Sequence, residues 1–234
     1  MSEWKRKRFW DEASVAEAEG GFTVLLDGRA VRTPAKAALI LPTRQMAEAV
    51  AAEWAAQEGE IDPGSMPFTR SANAAIDKVR PQQAEVAGML ADYGDSDLLC
   101  YRADAPQQLV DRQAEAWDPA LDWAETALGV RLAPRVGIMH QPQDAVGQAR
   151  LRAQVYALDP FQLAAFHDLV SLTGSLILGF AAAQNWRDAD TIWQMSRLDE
   201  LWQEEQWGQD EEAQAAAELK RGAFLHAKKF FDFA

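Results

Sequence analysis

Four side chains suited to nucleophilic chemistry crowd one short stretch: His167, Asp168, Ser171 and Ser175. A serine hydrolase needs a hydroxyl, an imidazole to take its proton and a carboxylate to orient the ring, and these groups come from separate segments. Here all four fall on one helical segment, and no G-x-S-x-G turn raises a serine. A polar first turn on a core helix is the simpler reading, and no catalytic residue is assigned. His140, His167 and His226 are far apart, and only His167 has a neighbouring ligand type, in Asp168. That is not zinc-ligand spacing, so no metal site is expected. Neither G-x-x-x-x-G-K-[ST] nor G-x-G-x-x-G occurs, which leaves a nucleotide without a backbone cradle. No cofactor is expected. The lone Cys100, in "DLLCYR", excludes an intramolecular disulfide and reads as a small buried hydrophobe in a reducing compartment.

The stretch "SRLDELWQEEQWGQDEEA", Ser196 to Ala213, holds seven carboxylates and two tryptophans, with no positive charge after Arg197. It could be an acid cluster, a solvated helix face or a surface that grips another protein. On a helix turning about 100° per residue, Ile192, Met195, Leu198 and Trp202 form an apolar arc, while Arg197, Glu200 and Glu204 point elsewhere. Asp199 falls inside or at the edge of that arc, as does Gln206. A carboxylate there is costly unless it meets an Arg or Lys, a cluster of backbone N–H groups or a site on a partner. Glu204, Glu205, Asp210, Glu211 and Glu212 read more simply as a solvated face. Trp186, Trp193, Trp202 and Trp207 put four of the nine tryptophans in this region, a density met both in cores and at interface centres. Trp207, before Gly208, is the best candidate for exposure.

Positioning these groups requires a folded chain, and 234 residues with 48% hydrophobic and 25% charged content suffice for one large domain or two small ones. The formal net charge of -13 would repel a phosphate backbone, so nucleic acid is not an expected partner. No secretory signal is read at the start, because "MSEWKRKRFW" is followed by "DEASVAEAEGG" and not by an apolar stretch. The basic-aromatic run Trp4 to Trp10 reads as a solvated terminus, with docking to an acidic surface as the second reading. The most apolar segment, Leu163 to Ala183, carries His167 and Asp168 and is poor for a bilayer span; it is read as a core helix, with no membrane span.

Two patterns divide the chain. From Gly21 to Pro42 short β-prone runs flank Asp27-Gly28, a tight-hairpin signal, and predict a three-stranded meander. Thr43 then caps a helix carrying Met46, Val50 and Trp54 at i, i+4 spacing. Another helix runs from near Thr69 to the Arg80-Pro81 break, and a further one to about Tyr93. "SDLLCYR" is a strand or a helix end. Beyond it helices dominate: Pro106 to Trp117, a second begun by Asp118-Pro119 and running to Leu128, a proline-punctuated excursion, and Asp144 to Ala157. Asp159-Pro160 starts a long helix to about Gln184 with Gly174 and Gly179 in its interior. Each glycine there costs about 1 kcal/mol relative to Ala, so close packing by a neighbour is expected. The last of these helices spans Asp188 to Gln206. The fold class is therefore α+β, with an N-terminal domain over 1–95 containing a small antiparallel sheet plus helices, and an all-α domain over 96–234.

The ordered blocks "GGFTVLLDGRAVRTP", "MPFTRSANAAID", "SDLLCYRAD", "QAEAWDPALDW", "HDLVSLTGSLIL" and "SRLDELWQEEQWGQDEE" resemble the signature blocks of the chaperone family that assembles the catalytic head of F-type ATP synthase and is dedicated to the alpha subunit. The resemblance spans Arg8 to Phe230 and implies no enzyme activity, with the ATP synthase alpha subunit as protein partner. Joined to the acidic and aromatic character of Ser196 to Ala213, it gives a partner-binding set of Asp199, Glu200, Trp202, Glu204 and Trp207. The family's essential acidic position lands on Asp199, with Glu200 beside it as the other candidate for that role. It also implies cytoplasmic localisation in a bacterium, and the mitochondrial matrix for eukaryotic relatives. A small-molecule enzyme using the His167, Asp168 and Asp199 neighbourhood is the alternative from a different class.

Overall fold

The computed structural model describes residues 7–234, whose contacts gather into two compact units. The first holds the described residues through Gln83 together with Asp159–Ala164 and Lys229–Ala234; the second holds Ala84–Leu158 and Ala165–Lys228. Of the basic-aromatic run, Trp4, Lys5 and Arg6 lie outside the described residues. Arg8 is folded into the first unit, where its guanidinium donates to the carbonyls of Trp10, Asp11, Ala55 and Gln57.

The first unit is built on an antiparallel sheet of β1 (Ala13–Ala18), β2 (Gly21–Leu26) and β3 (Arg29–Ala30), in that order. Val15 pairs with Val24, and Leu26 with Arg29. The turn between β2 and β3 is the expected one: Asp27 and Gly28 have φ of 47° and 78°, the left-handed pair that matches strand twist. The Asp27 carboxylate also accepts the N–H groups of Asp11 and Glu12. β3 is shorter than a full strand, and the chain continues the meander through single bridges from Arg32 to Ala38 and from Phe22 to Leu41. That last pairing explains Gly21, where a Cβ would lie 2.2 Å from the Leu41 carbonyl oxygen.

Against β1 and β2 lies α1 (Arg44–Ala55), capped by Thr43, whose Oγ1 accepts the Met46 N–H at 3.2 Å. Met46 and Val50 are fully buried with Val24, Leu39 and Leu41, as the i, i+4 spacing requires. Trp54 is half-buried and packs edge-on against Trp10, 5.2 Å between ring centroids. α2 (Pro67–Ala74) begins two residues before the expected start near Thr69. Glu53, from α1, accepts the N–H groups of Phe68 and Thr69 at 2.6 and 2.8 Å, doing the work of an N-cap from a distance. Pro81 does not break the helix that follows. A π-turn over Ala75–Val79 and a 3-10 turn over Arg80–Gln82 absorb its missing donor, and the chain runs on as α3 (Gln83–Ala91).

In the second unit β4 (Tyr101–Arg102) and β5 (Arg135–Val136) form a two-stranded parallel ladder, so "SDLLCYR" is a 3-10 turn at Leu98–Cys100 followed by a strand. The helices are α4 (Gln107–Leu128), α5 (Ala145–Tyr156), α6 (Pro160–Thr173), α7 (Leu176–Ala183), α8 (Ala189–Ser196), α9 (Leu198–Trp207) and α10 (Glu211–Asp232). The first turn of α6 and the last residues of α10 belong to the first unit.

Three local signals mislead. Asp118-Pro119, expected to start a second helix, lies inside a continuous α4. Proline there costs on the order of 3 kcal/mol, offset by the burial of Trp117, Ala120, Leu121 and Ala124. The long helix expected to Gln184 breaks at Gly174, whose φ of 68° ends α6, while Ser175 caps α7 by accepting the Leu178 N–H at 3.0 Å. Gly179 does sit in a helix interior, with Val170 only 2.6 Å from where its Cβ would be. The helix expected over Asp188 to Gln206 breaks at Arg197, with φ of −102° and ψ of 10°, so its residues follow two axes.

Candidate functional site

The second unit carries an open groove of about 610 Å³ bounded by the Tyr101–Pro106 segment, the start of α4, the turn at Gly137 and Ile138, and one face of α9. Its walls are laid down from the segment after Asp97. This carboxylate is fully buried; it accepts the Leu99 N–H at 3.0 Å through one oxygen and the Ile177 N–H at 3.0 Å through the other, and the Ser175 hydroxyl bonds to it too. Leu98 N–H also bonds the Gly174 carbonyl at 3.0 Å. The chain after Asp97 is thus pinned to the α6–α7 corner. Burial pushes the Asp97 carboxyl up to about 6 against the opposing pull of its hydrogen bonds. Burial likewise raises the Cys100 thiol to about 12, with the Asp97 charge adding to the shift, so the sulfur is an inert core atom.

Arg102 fixes the next step. Its Nε donates to the Leu99 carbonyl at 2.7 Å, its Nη2 pairs with Asp118 at 2.8 Å, and the guanidinium sits 5.3 Å from the Trp117 ring centroid. Trp117 is fully buried and donates its indole N–H to the Met195 carbonyl at 2.9 Å, which ties α4 to the end of α8.

On this frame Asp199 and Trp202, both half-buried, and the exposed Trp207 line the groove. Asp199 finds neither of the internal partners expected of it. Its Oδ1 accepts a 2.7 Å hydrogen bond from Nε2 of Gln113, an α4 side chain that is 1% exposed, and no Arg or Lys among the described residues pairs with it. Around it lie Tyr101, Leu109 and Ile138. Trp207 and Ile138 are 80% and 90% exposed, and Met139, beside Ile138, is 77% exposed. Exposed apolar side chains at and beside one concavity make this groove the candidate interaction surface.

Glu200 and Glu204 do not line the groove; they pair with Arg197 at 3.3 and 3.5 Å. Glu205 takes both Nη atoms of Arg112, at 2.6 and 2.9 Å, and this hydrogen bonding lowers the Glu205 carboxyl and raises Arg112. The Arg112 guanidinium also lies 6.0 Å from the Trp202 ring centroid. Asp210, Glu211 and Glu212 are exposed at the start of α10, where Asp210 accepts the Glu212 and Ala213 N–H groups. The tryptophans divide: Trp193 is core against Phe224, Trp186 is half-buried against Trp123, and only Trp202 and Trp207 reach the groove.

The alternative enzymatic set is not assembled. His167 bonds Asp168 at 2.9 Å, a hydrogen bond that raises the imidazole pKa, but both side chains are partly exposed on α6 and share no bond with Asp199. Ser171 is exposed and Ser175 caps α7. Among the described residues no three His, Cys, Asp or Glu side chains gather as a metal site, and no helix is long and apolar enough to cross a membrane.

Gln113 and Ile138 are among the groove residues that the sequence does not announce. A signal for the first exists: Gln113, Trp117, Ala120, Leu121 and Ala124 share one helix face, so Gln113 is a polar residue on an apolar stripe, as Asp199 is on its own helix.

Residues 7–125 match the family model described as the ATP12 chaperone protein. The chain is similar to the crystal structure of Atp12 from Paracoccus denitrificans, with 52% identity, a TM-score of 0.96 and 99% of each chain covered. A mutant of that protein with lysine in place of one aspartate matches with the same values, so that charge reversal leaves the Paracoccus fold in place. The mitochondrial atp12 protein of Schizosaccharomyces pombe is 26% identical over 219 residues, 88% of this chain and 75% of that protein. The family match ends before α9, and the structural likeness extends over it.

Proposed function

Because the chain belongs to the ATP12 chaperone family, we propose that it is an assembly chaperone of F-type ATP synthase that binds the unassembled alpha subunit of the catalytic head and promotes its incorporation. The observation that carries this reading is the groove of the second unit, where an unneutralised carboxylate, Asp199, sits among Trp202, Trp207 and Ile138. A lone subunit of a heteromeric ring exposes the apolar surface it will later bury, and such surface aggregates before assembly. A concave face with aromatic anchors and a single charge can cover it reversibly.

Asp199, Trp202 and Trp207 are the contact residues in this reading, and Glu200 and Glu204 supply acidic potential at the rim. The protein acts by binding, without catalysis or cofactor. Its proposed setting is the bacterial cytoplasm, corresponding to the mitochondrial matrix in eukaryotic relatives, and the free buried thiol of Cys100 suits such a reducing compartment.

The test is capture. Tagged full-length protein is mixed with alpha subunit or beta subunit, each produced alone, and thermal midpoints are recorded with a panel of metabolites. Alpha subunit should be retained, beta subunit should not, and no metabolite should raise the midpoint. Retention of neither subunit, or of beta subunit alone, would contradict the reading.

A further inference from the structure

We propose that Gln113 is a positioning residue that holds Asp199 as a charged, unneutralised carboxylate, so that the groove engages its partner through one cationic side chain. This rests on the reading of the groove as the site that binds alpha subunit and names the chemistry of the contact: an Arg or Lys of the alpha subunit flanked by apolar residues.

The geometry of the Gln113 amide leaves it one role. Its Oε1 accepts the Ala103 N–H at 2.8 Å, and its Nε2 donates to Asp199 at 2.7 Å. Because Ala103 can only donate, the amide oxygen must face it and the NH2 group must face Asp199. An amide donor adds no charge and has no proton to lose in the physiological range. It therefore fixes the carboxylate in place without cancelling it, which a lysine or arginine would do.

Three arginines of the surrounding elements are committed elsewhere. Arg102 is taken by Asp118 and the Leu99 carbonyl, Arg112 by both oxygens of Glu205, and Arg197 by Glu200 and Glu204. The only hydrogen bond the Asp199 side chain makes among the described residues is the one from Gln113. A half-buried carboxylate with one neutral donor bears a desolvation cost that a cation from outside can repay. Trp202, Trp207 and Ile138 provide apolar surface for the aliphatic stem of that cation and for its neighbours.

The experiment measures alpha-subunit affinity of the full-length chain at low and high NaCl, with thermal midpoints, for wild type, Asp199→Asn, Gln113→Lys and Gln113→Met. Wild-type affinity should fall as salt rises. Asp199→Asn, which preserves the bond from Gln113, should bind about thirtyfold more weakly and lose the salt dependence at an unchanged midpoint. Gln113→Lys should lose binding to the same degree, because its ammonium pairs with Asp199 internally. If that variant does not fold, Gln113→Met carries the test: it should bind more weakly, and adding Asp199→Asn to it should cost little more. A Gln113 variant that folds and keeps wild-type affinity and salt dependence would overturn the proposal, and so would wild-type affinity in Asp199→Asn. If wild type itself does not bind alpha subunit, the functional reading fails first, and that outcome is separable from the others.

Discussion

Two aspartates in the second unit are held by uncharged donors, and they differ in how completely those donors satisfy them. Asp97 is fully buried, and both its oxygens accept backbone N–H groups, from Leu99 and from Ile177. It joins segments 80 residues apart in sequence, so its bonds belong to the fold. Asp199 is half-buried in an open groove and has one neutral donor, Gln113. The number of satisfied lone pairs separates the two better than burial or sequence does. A carboxylate with internal donors on both oxygens serves the fold, whereas one that is steadied yet left incomplete beside apolar surface meets the requirement of the proposed partner contact.

The largest expected effect on the structural side comes from Asp97→Ala. It leaves the Leu99 and Ile177 N–H groups without acceptors, at about 1–3 kcal/mol each, and adds a small cavity. Unfolding free energy from urea titration should drop by about 3–5 kcal/mol; an unchanged midpoint would erase the contrast between the two acids.

Titration gives the next effect. The Asp97 carboxyl is raised from 3.8 to about 6, so between those values the folded state binds more protons than the unfolded one and stability falls with rising pH. The contribution of protonated Asp97 is whole below about pH 4 and is lost as pH passes through 6, a change of about 3 kcal/mol. Other carboxylates act in the opposite sense, so the quantity to measure is wild-type stability minus that of Asp97→Asn. It should decline from pH 4 to pH 7, and a constant difference would contradict the assignment.

Smaller effects are expected at the corner that Asp97 clamps. Gly179→Ala puts a Cβ 2.6 Å from Val170 Cγ2 and should cost about 1–3 kcal/mol by overpacking. Gly174→Ala forces a side chain into φ of 68° and should cost about 1 kcal/mol. Equal stability of either variant with wild type, in the same urea titration, would show that the corner is looser than its contacts indicate.

What the sequence discloses follows from the range of each interaction. Asp27-Gly28 and the Thr43 cap act within four residues, and both are where the local pattern puts them. Asp144, also read as a helix start, caps α5 through the Gly147 N–H. Asp118-Pro119 carries the same kind of local signal and is overruled, because Trp117 and Leu121 gain more from burial on an unbroken helix than the proline costs. The breaks at Gly174 and Arg197 hide inside strongly apolar periodicity, which reports burial without reporting continuity. At the site, the apolar arc flags Asp199 as an anomaly, but its partner Gln113 is 86 residues away, and no local rule connects them. Glu200 and Glu204 share the acidic character of Asp199, but the same helical wheel places them off the arc beside Arg197, and both pair with it.

The smallest expected effect on stability is at Asp199 itself, and it is joined to the largest expected effect on binding. Asp199→Asn should change unfolding free energy by no more than about 0.5–1 kcal/mol, since its amide oxygen still accepts the bond from the buried Gln113. The most direct measurement pairs the thermal midpoint of this variant with its affinity for isolated alpha subunit. A midpoint near wild type with affinity lowered by about 2–5 kcal/mol is the expected result. A stable variant that binds alpha subunit as tightly as wild type would contradict the groove as the binding site.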